Sequence, residues 1–250
     1  MYSYEGKHKT KREAINVFGS LGESFIKPSI GSSSGNGCAV INMEHGFDTI
    51  SGKTSVEILD AYGDNFIVQE RIKMHTSLSK LYPDSVNTFR IMTYRWHDEF
   101  YHVPAILRIG TGGANVDNAH AGGIFIAISD DGILHERAYT EFNSQYDKHP
   151  DTKTLFQGYK IIGFHDAINT AIELHKLFPQ IGVYNWDFSL NENNEPILIE
   201  ANMRFGGIWI FQMAHGKGPF GERTPEILQW MREMKKMKYH DRLNHMHGNL

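Results

Sequence analysis

The stretch from Val183 to Asn202, Val-Tyr-Asn-Trp-Asp-Phe-Ser-Leu-Asn-Glu-Asn-Asn-Glu-Pro-Ile-Leu-Ile-Glu-Ala-Asn, constrains the fold more than any other part of the chain. Two strand-like runs flank Asn191 to Pro196, whose residues are those of a turn. Successive side chains of a strand point to opposite faces. Asn185, Asp187 and Ser189 therefore share one face, and Trp186, Phe188 and Leu190 the other. On the second strand Leu198, Glu200 and Asn202 share a face, with Ile197 and Ile199 behind. Pairing Asn191 with Pro196 across a four-residue loop sets Asp187 opposite Glu200, their Cβ atoms ~5 Å apart, where like charges repel. A nearby cation would relieve that repulsion, and two carboxylates plus an amide oxygen are hard donors that suit Mg²⁺ rather than Zn²⁺. The competing reading is a plain solvated hairpin, and a slip of one residue would send the two carboxylates to opposite faces.

The rest of the chain alternates strands and helices. Ser24 to Lys27 and Cys38 to Met43 read as a hairpin around the loop Gly31 to Gly37, and Thr54 to Tyr62 as a helix ended by Gly63. Asn65 to Gln69 is a short strand. Further strands are expected at Ser85 to Tyr94, Val103 to Ile109, Gly123 to Ser129 and Leu134 to Tyr139, broken by the glycine-rich stretch Gly110 to Gly123. Helical spacing of Ala167, Ile168, Ala171, Ile172, Leu174, His175 and Phe178 predicts a helix over Phe164 to Phe178, and another is expected near Pro225 to Lys238. The pattern divides into an N-terminal arm (1–24), a small lobe (25–70), a larger α+β lobe (71–239) and a polar, His-rich tail (240–250). Two lobes predict a ligand cleft between them.

Bulk composition excludes several classes. With 25 basic residues spread along the chain and a net charge of -4, there is no nucleic-acid footprint. No apolar run approaches the ~20 residues of a membrane helix, and Met1 to Arg12 lacks the apolar core of a secretory signal. The single cysteine, Cys38, cannot form an internal disulfide, which agrees with a cytoplasmic setting.

Within the small lobe, the glycines and hydroxyls of Gly31-Ser32-Ser33-Ser34-Gly35-Asn36-Gly37 can turn backbone N–H groups toward phosphates, with Lys27 on the preceding strand. This is not a Walker A loop, and a flexible connector has the same composition. Arg90 and Arg108 lie in apolar strands, where an unpaired guanidinium is costly. The expected partner is an anionic ligand, with a structural carboxylate as the rival. Asp117-Asn118 reads as a turn or a substrate contact, with Asn118 the favoured contact.

Taken in order, Phe25-Ile-Lys-Pro-Ser-Ile-Gly-Ser-Ser-Ser-Gly35, Val68-Gln-Glu-Arg-Ile-Lys-Met-His75, Ser85 to Arg90, Arg108-Ile-Gly110, Val116-Asp-Asn118 with Gly122-Gly123, and Trp186-Asp187 through Glu200-Ala-Asn202 resemble the ATP-grasp superfamily. The similarity is greatest to its sugar-transfer-associated branch, related to α-L-glutamate ligases. The resemblance implies an α+β ATP-grasp fold of two lobes with the nucleotide in the cleft between them. It implies ATP as cosubstrate, with Lys27 and the loop at Gly31, Ser32, Ser33, Ser34 and Gly35 on the phosphates. Gln69, Glu70 and Ile72 would form the adenine hinge, and Glu70 or His75 would be nearest the ribose. Asp187, Glu200 and Asn202 would hold two Mg²⁺ ions. Arg204, Arg108 and Arg90 would be the catalytic cations, and Asn118 and Gly122 would contact substrate.

The activity implied is an ADP-forming carboxylate–amine ligase working through an acyl phosphate. Its substrates would be a small-molecule or saccharide-linked acid and an amine, in a cell-envelope or polysaccharide setting. The alternatives are a degenerate ATP-binding subunit and a phosphotransferase on the same core. Two departures stand out. Many superfamily ligases carry an arginine two residues before the first metal aspartate, where this chain has Asn185. Superfamily members also have a further N-terminal domain, whereas about two dozen residues precede Phe25. A homo-oligomer or a partner supplying that domain is the corresponding expectation.

Overall fold

The computed structural model describes residues 2–30, 36–204, 206–238 and 241. The chain divides into two compact units, Met1–Lys73 and Met74–Leu250.

The first unit begins with a hairpin, β1 (Tyr2–Tyr4) and β2 (Lys7–Lys9), closed by Glu5 and Gly6 at φ 48° and 71°. Two consecutive positive φ angles suit the tight turn of a twisted hairpin. Helix α1 (Lys11–Phe18) follows, started by a capping box in which Thr10 and Glu13 satisfy each other's backbone donors. The segment read from sequence as an arm is therefore folded. Its turn has Glu where Asn or Asp would have announced it, while the Thr10–Glu13 spacing was a legible helix start.

Strands β3 (Gly22–Pro28), β4 (Ala39–Glu44) and β5 (Phe47–Asp48), helix α2 (Ser55–Tyr62) and strand β6 (Phe66–Glu70) complete the unit. The sheet order is β5-β4-β3-β6, all antiparallel. Its core is Phe18, Ile26, Ile41, Met43, Ile58 and Leu59, so α1 and α2 cover the sheet face that carries Ile26. Alternation puts Phe25 and Lys27 on the other face, and the pairings Phe25–Gln69 and Lys27–Ile67 add Gln69 and Ile67 to it. Among the described residues of this unit no helix covers that face: Phe25 and Lys27 are half-buried, Ile67 exposed.

The second unit opens with the short helix α3 (Thr76–Ser79), then strands β7 (Thr88–Trp96), β8 (Glu99–His102), β9 (Ile106–Ile109), β10 (Ile124–Ile128), β11 (Leu134–Tyr139) and β12 (Gln145–Tyr146). Helix α4 (Phe164–Lys176), the hairpin β13 (Val183–Leu190) and β14 (Pro196–Asn202), and helices α5 (Ile208–His215) and α6 (Thr224–Lys236) follow. The antiparallel sheet runs β12-β11-β10-β9-β7-β13-β14, with β8 pairing the far part of β7.

Strand β7 is buried on both faces, and its alternation sorts the unit into two layers. Phe89 and Ile91 join Trp186, Phe188, Leu190 and the Ala167–Ala171 face of α4 in the larger core. Met92 and Tyr94 pack with Ile210, Phe211 and Ala214 of α5 and Ile227 of α6 in the second core. Arg90 points to that second layer, beyond the apolar cover. Helix α5 was not legible in the sequence. It starts at Gly207 in the left-handed region with no side-chain cap, and Ile-Trp-Ile-Phe is as strand-like as it is helical.

Candidate active site: a charged face on the large sheet

The β13–β14 hairpin differs from its expected register at the turn and agrees with it at the carboxylates. Leu190 pairs with Pro196, not Asn191 with Pro196. The loop is tighter than expected: the Asn191 N–H donates to Glu195 O, the Asn194 N–H donates to Asn191 O, and Asn194 sits at φ 67°. A bulge at Ile199 then restores the alignment. Phe188 faces Leu198, but Asp187 faces Glu200 and Asn185 faces Asn202. Leu198 is consequently moved to the Phe188 side, off the face of Glu200 where simple alternation placed it.

Asp187 is 2% exposed, yet it is not a bare charge. Strand β7 pairs with β13 so that Arg90 lies directly across from it. Arg90 donates from Nε to Asp187 Oδ1 at 2.6 Å and from Nη2 to Oδ2 at 3.1 Å, a bidentate pair. Arg108, on β9, is the next cation: its Nη2 is 2.9 Å from Asp117 Oδ1 and 3.4 Å from Asp187 Oδ2. The four side chains alternate in sign and sum to no net charge. Burial, followed by the neighbouring Arg108, lowers the Arg90 pKa. For Arg108 burial also opposes the charge, but Asp117 and Asp187 overcome it and raise its pKa. The carboxylate rival to an anionic ligand is thus the partner of both arginines within the protein.

Asn185 occupies the place of the superfamily arginine, and its side chain is buried under Gly206. A Cβ at Gly206 would fall 1.9 Å from Asn185 Nδ2, so glycine is what lets the backbone close there. Arg90 Nη1 approaches Gly206 O at 3.5 Å.

Glu200 is exposed on the edge strand, and Asn202 is half-buried. Arg204 is exposed just past the end of β14. Asn118 accepts at its backbone O from the Ala121 and Gly123 N–H groups, and Gly122 stands at φ 91°. His75 caps α3, its Nδ1 accepting from the Ser77 N–H, so its structural role is visible. In the first unit, Gln69 and Glu70 are exposed, with Glu70 paired to Ser24 on the face opposite Lys27, and Ile72 is half-buried. Gly31, Ser32, Ser33, Ser34 and Gly35 lie outside the described residues.

Asp187, Glu200 and Asn202 present hard oxygen donors on one sheet face. Asn185, across from Asn202, keeps a buried Oδ1 with no hydrogen-bond partner, so acceptors exceed donors at this end of the face. Asp187 gives two lone pairs to Arg90, but a carboxylate offers about four. The set fits a hard divalent cation. Among the described residues no group of three or more His, Cys, Asp or Glu is arranged to hold a metal ion.

A family model described as sugar-transfer associated ATP-grasp matches residues 1–226. The chain belongs to that family and has its α+β fold. Among solved structures, D-alanyl-alanine synthetase A from Vibrio cholerae O1 biovar eltor str. N16961 is 16% identical over 87% of this chain and 53% of its own, with a TM-score of 0.45. N5-carboxyaminoimidazole synthetase from Staphylococcus aureus, complexed with ADP, is 13% identical over 85% of this chain and 45% of its own, also at 0.45. The chain therefore spans about half the length of these structures. No curated protein matches. No helix among the described residues is long and apolar enough to cross a membrane.

Proposed function

We propose that the protein is an ADP-forming carboxylate–amine ligase that uses Mg²⁺ and ATP. The observation that carries this reading is the bulged hairpin that sets Asp187, Glu200 and Asn202 on one face, beside the largely buried side chains of Arg90 and Arg108. Those three residues would hold Mg²⁺, which would supply charge neutralisation for ATP's phosphates. Arg90 and Arg108 would add fixed positive charge for the transferring phosphoryl group, in a buried setting where preorganised cations act most strongly. A substrate carboxylate oxygen attacks the γ-phosphorus and the bond to the β-phosphate oxygen breaks, leaving ADP and an acyl phosphate. An amine then attacks the acyl carbon, inorganic phosphate departs, and the amine proton passes to solvent. No protein nucleophile is needed. Arg204, exposed just past the β14 end, is the proposed phosphate- or substrate-binding cation, and Asn118 and Gly122 are the proposed substrate contacts on the glycine-rich loop. A saccharide-linked acid is the proposed substrate class.

The open face of the first unit supports the nucleotide assignment: Lys27 stands beside Phe25 and Ile67, a cation next to an apolar surface. Lys27→Ala is expected to weaken Mg²⁺–ATP binding by ~1.5–3 kcal/mol, the worth of a charge-assisted hydrogen bond. Thermal stability should barely change, because a partly exposed lysine contributes little to a fold. Titration calorimetry beside a melting curve tests both, and a destabilised mutant with normal ATP affinity would make Lys27 structural.

The reaction itself is tested with candidate acids and hydroxylamine as surrogate amine, followed by nucleotide separation. Hydroxamate with ADP is the expected result. ADP with a stable phosphorylated product would instead make the protein a phosphotransferase, and AMP with pyrophosphate would overturn the mechanism. ATP binding without turnover across a broad panel of acids would point to a non-catalytic subunit.

A further inference from the structure

We infer that Asp117 is a positioning residue for phosphoryl transfer, acting through Arg108; this rests on the nucleotide reading above. Asp117 lies in the glycine-rich stretch between β9 and β10 and is 4% exposed. Its carboxylate is held from three directions. The Thr88 backbone N–H donates to Oδ2 at 3.0 Å, the Thr88 hydroxyl donates to the same oxygen, and Arg108 Nη2 donates to Oδ1 at 2.9 Å. Arg108 Nε closes the ring by donating to Thr88 Oγ1 at 3.1 Å. Thr88 is itself paired with Arg108 across β7 and β9, so backbone register and side-chain bonds fix the same guanidinium.

The loop is shaped to bring the carboxylate there. A Cβ at Gly123 would lie 2.4 Å from Asp117 O, so the close return of the chain depends on that glycine. Charge gives the arrangement its purpose. Arg90 and Arg108 are two cations on one face, and both oxygens of Asp187 are already taken by Arg90, so Arg108 needs a second bonded carboxylate. Without Asp117, Arg108 would repel Arg90 and compete for Asp187, disturbing the carboxylate proposed to hold metal. With it, Arg108 Nη2 donates to Asp117 Oδ1 at 2.9 Å and stands 3.4 Å from Asp187 Oδ2. Asp117 itself belongs to the protein's internal bonding, a role distinct from substrate contact.

The test compares wild type, Asp117→Asn and Thr88→Val. The second variant keeps shape and charge while deleting the hydroxyl that joins Arg108 to Asp117. Arginine Nε–H resonances report both guanidinium groups: Asp117→Asn should speed solvent exchange most at Arg108, whose Nε is held by the Thr88 hydroxyl that Asp117 orients, and less at Arg90, whose Nε keeps Asp187. Binding of Mg²⁺ with a non-hydrolysable ATP analogue should fall about tenfold, while binding of Mg²⁺ with ADP, which lacks the γ-phosphate, should hardly change. Thr88→Val removes the Nε acceptor itself, so it should speed Arg108 Nε–H exchange at least as much while lowering binding of the ATP analogue by a smaller factor, and it decides the matter if Asp117→Asn does not fold. A purely structural role would weaken both nucleotides alike, and that result, or an unchanged Arg108 resonance, overturns the inference. Wild-type protein that binds neither nucleotide overturns the nucleotide reading and the inference with it.

Discussion

Arg90→Ala is expected to destabilise the second unit by about 3–5 kcal/mol, because it removes one partner of a buried ion pair and leaves the other. Asp187 is 2% exposed and would lose the bidentate contact from Arg90, with Arg108 at 3.4 Å its remaining cation. Burying an uncompensated carboxylate is the costly part, more than the lost packing of the guanidinium stem. Replacing both partners should be far milder. Arg90→Met with Asp187→Leu removes the charges together, and apolar pairs of similar volume often match or exceed the stability of the ions they replace. Urea unfolding of the two variants separates these cases. A single mutant that loses less than about 1 kcal/mol, the scale of a solvated surface pair, would mean that the Arg90–Asp187 contact is exposed and the charged face is not a preorganised site. The double mutant also separates stability from function, since it should stay folded while losing metal-dependent nucleotide binding.

The sequence foretold this pair only in halves. Arg90 and Arg108 were legible as costly cations in apolar strands, and Asp187 as a carboxylate on a hairpin. Their meeting depends on β7 pairing with β13 across a separation of 97 residues, which no local pattern encodes. Asp117 was missed as a counter-ion for the same reason: Asp-Asn in a glycine-rich stretch has the composition of a turn, and its partner Thr88 lies 29 residues earlier. Strands β11 and β13 and helix α4 could be placed to within a residue or two because alternation and helical spacing are strong there. The bulge at Ile199 could not, since an unpaired residue leaves no mark on a run of Ile-Leu-Ile. The expected facing of Asp187 and Glu200 was reached from a turn one residue too wide, and the bulge supplies the compensating residue. The hairpin of β1 and β2 and the uncapped α5 escaped because neither carries the residue types that announce such elements.

Glu200→Gln is expected to abolish most metal-dependent nucleotide binding while leaving the fold intact. Glu200 lies on the edge strand β14 and is exposed, so neutralising it strands no buried charge and unpairs no internal hydrogen bond among the described residues. Gln keeps the shape and one carbonyl oxygen but loses the negative charge that a hard divalent cation seeks. Loss of groups one shell outside a metal typically costs 10–100-fold in affinity, and a direct ligand should cost at least about as much. Glu195→Gln on the same hairpin is the matched control, because Glu195 accepts from Asn191 Nδ2 at the turn, away from the Asp187 face. Calorimetry with a non-hydrolysable ATP analogue, run with Mg²⁺ and with chelator, reads the difference. In the wild type, chelation should lower affinity. In Glu200→Gln it should change little, since the metal-dependent part of binding is already gone, and Glu195→Gln should behave as wild type. A folded Glu200→Gln protein with undiminished Mg²⁺-dependent affinity would remove Glu200 from the metal set and leave the hairpin face a purely structural role.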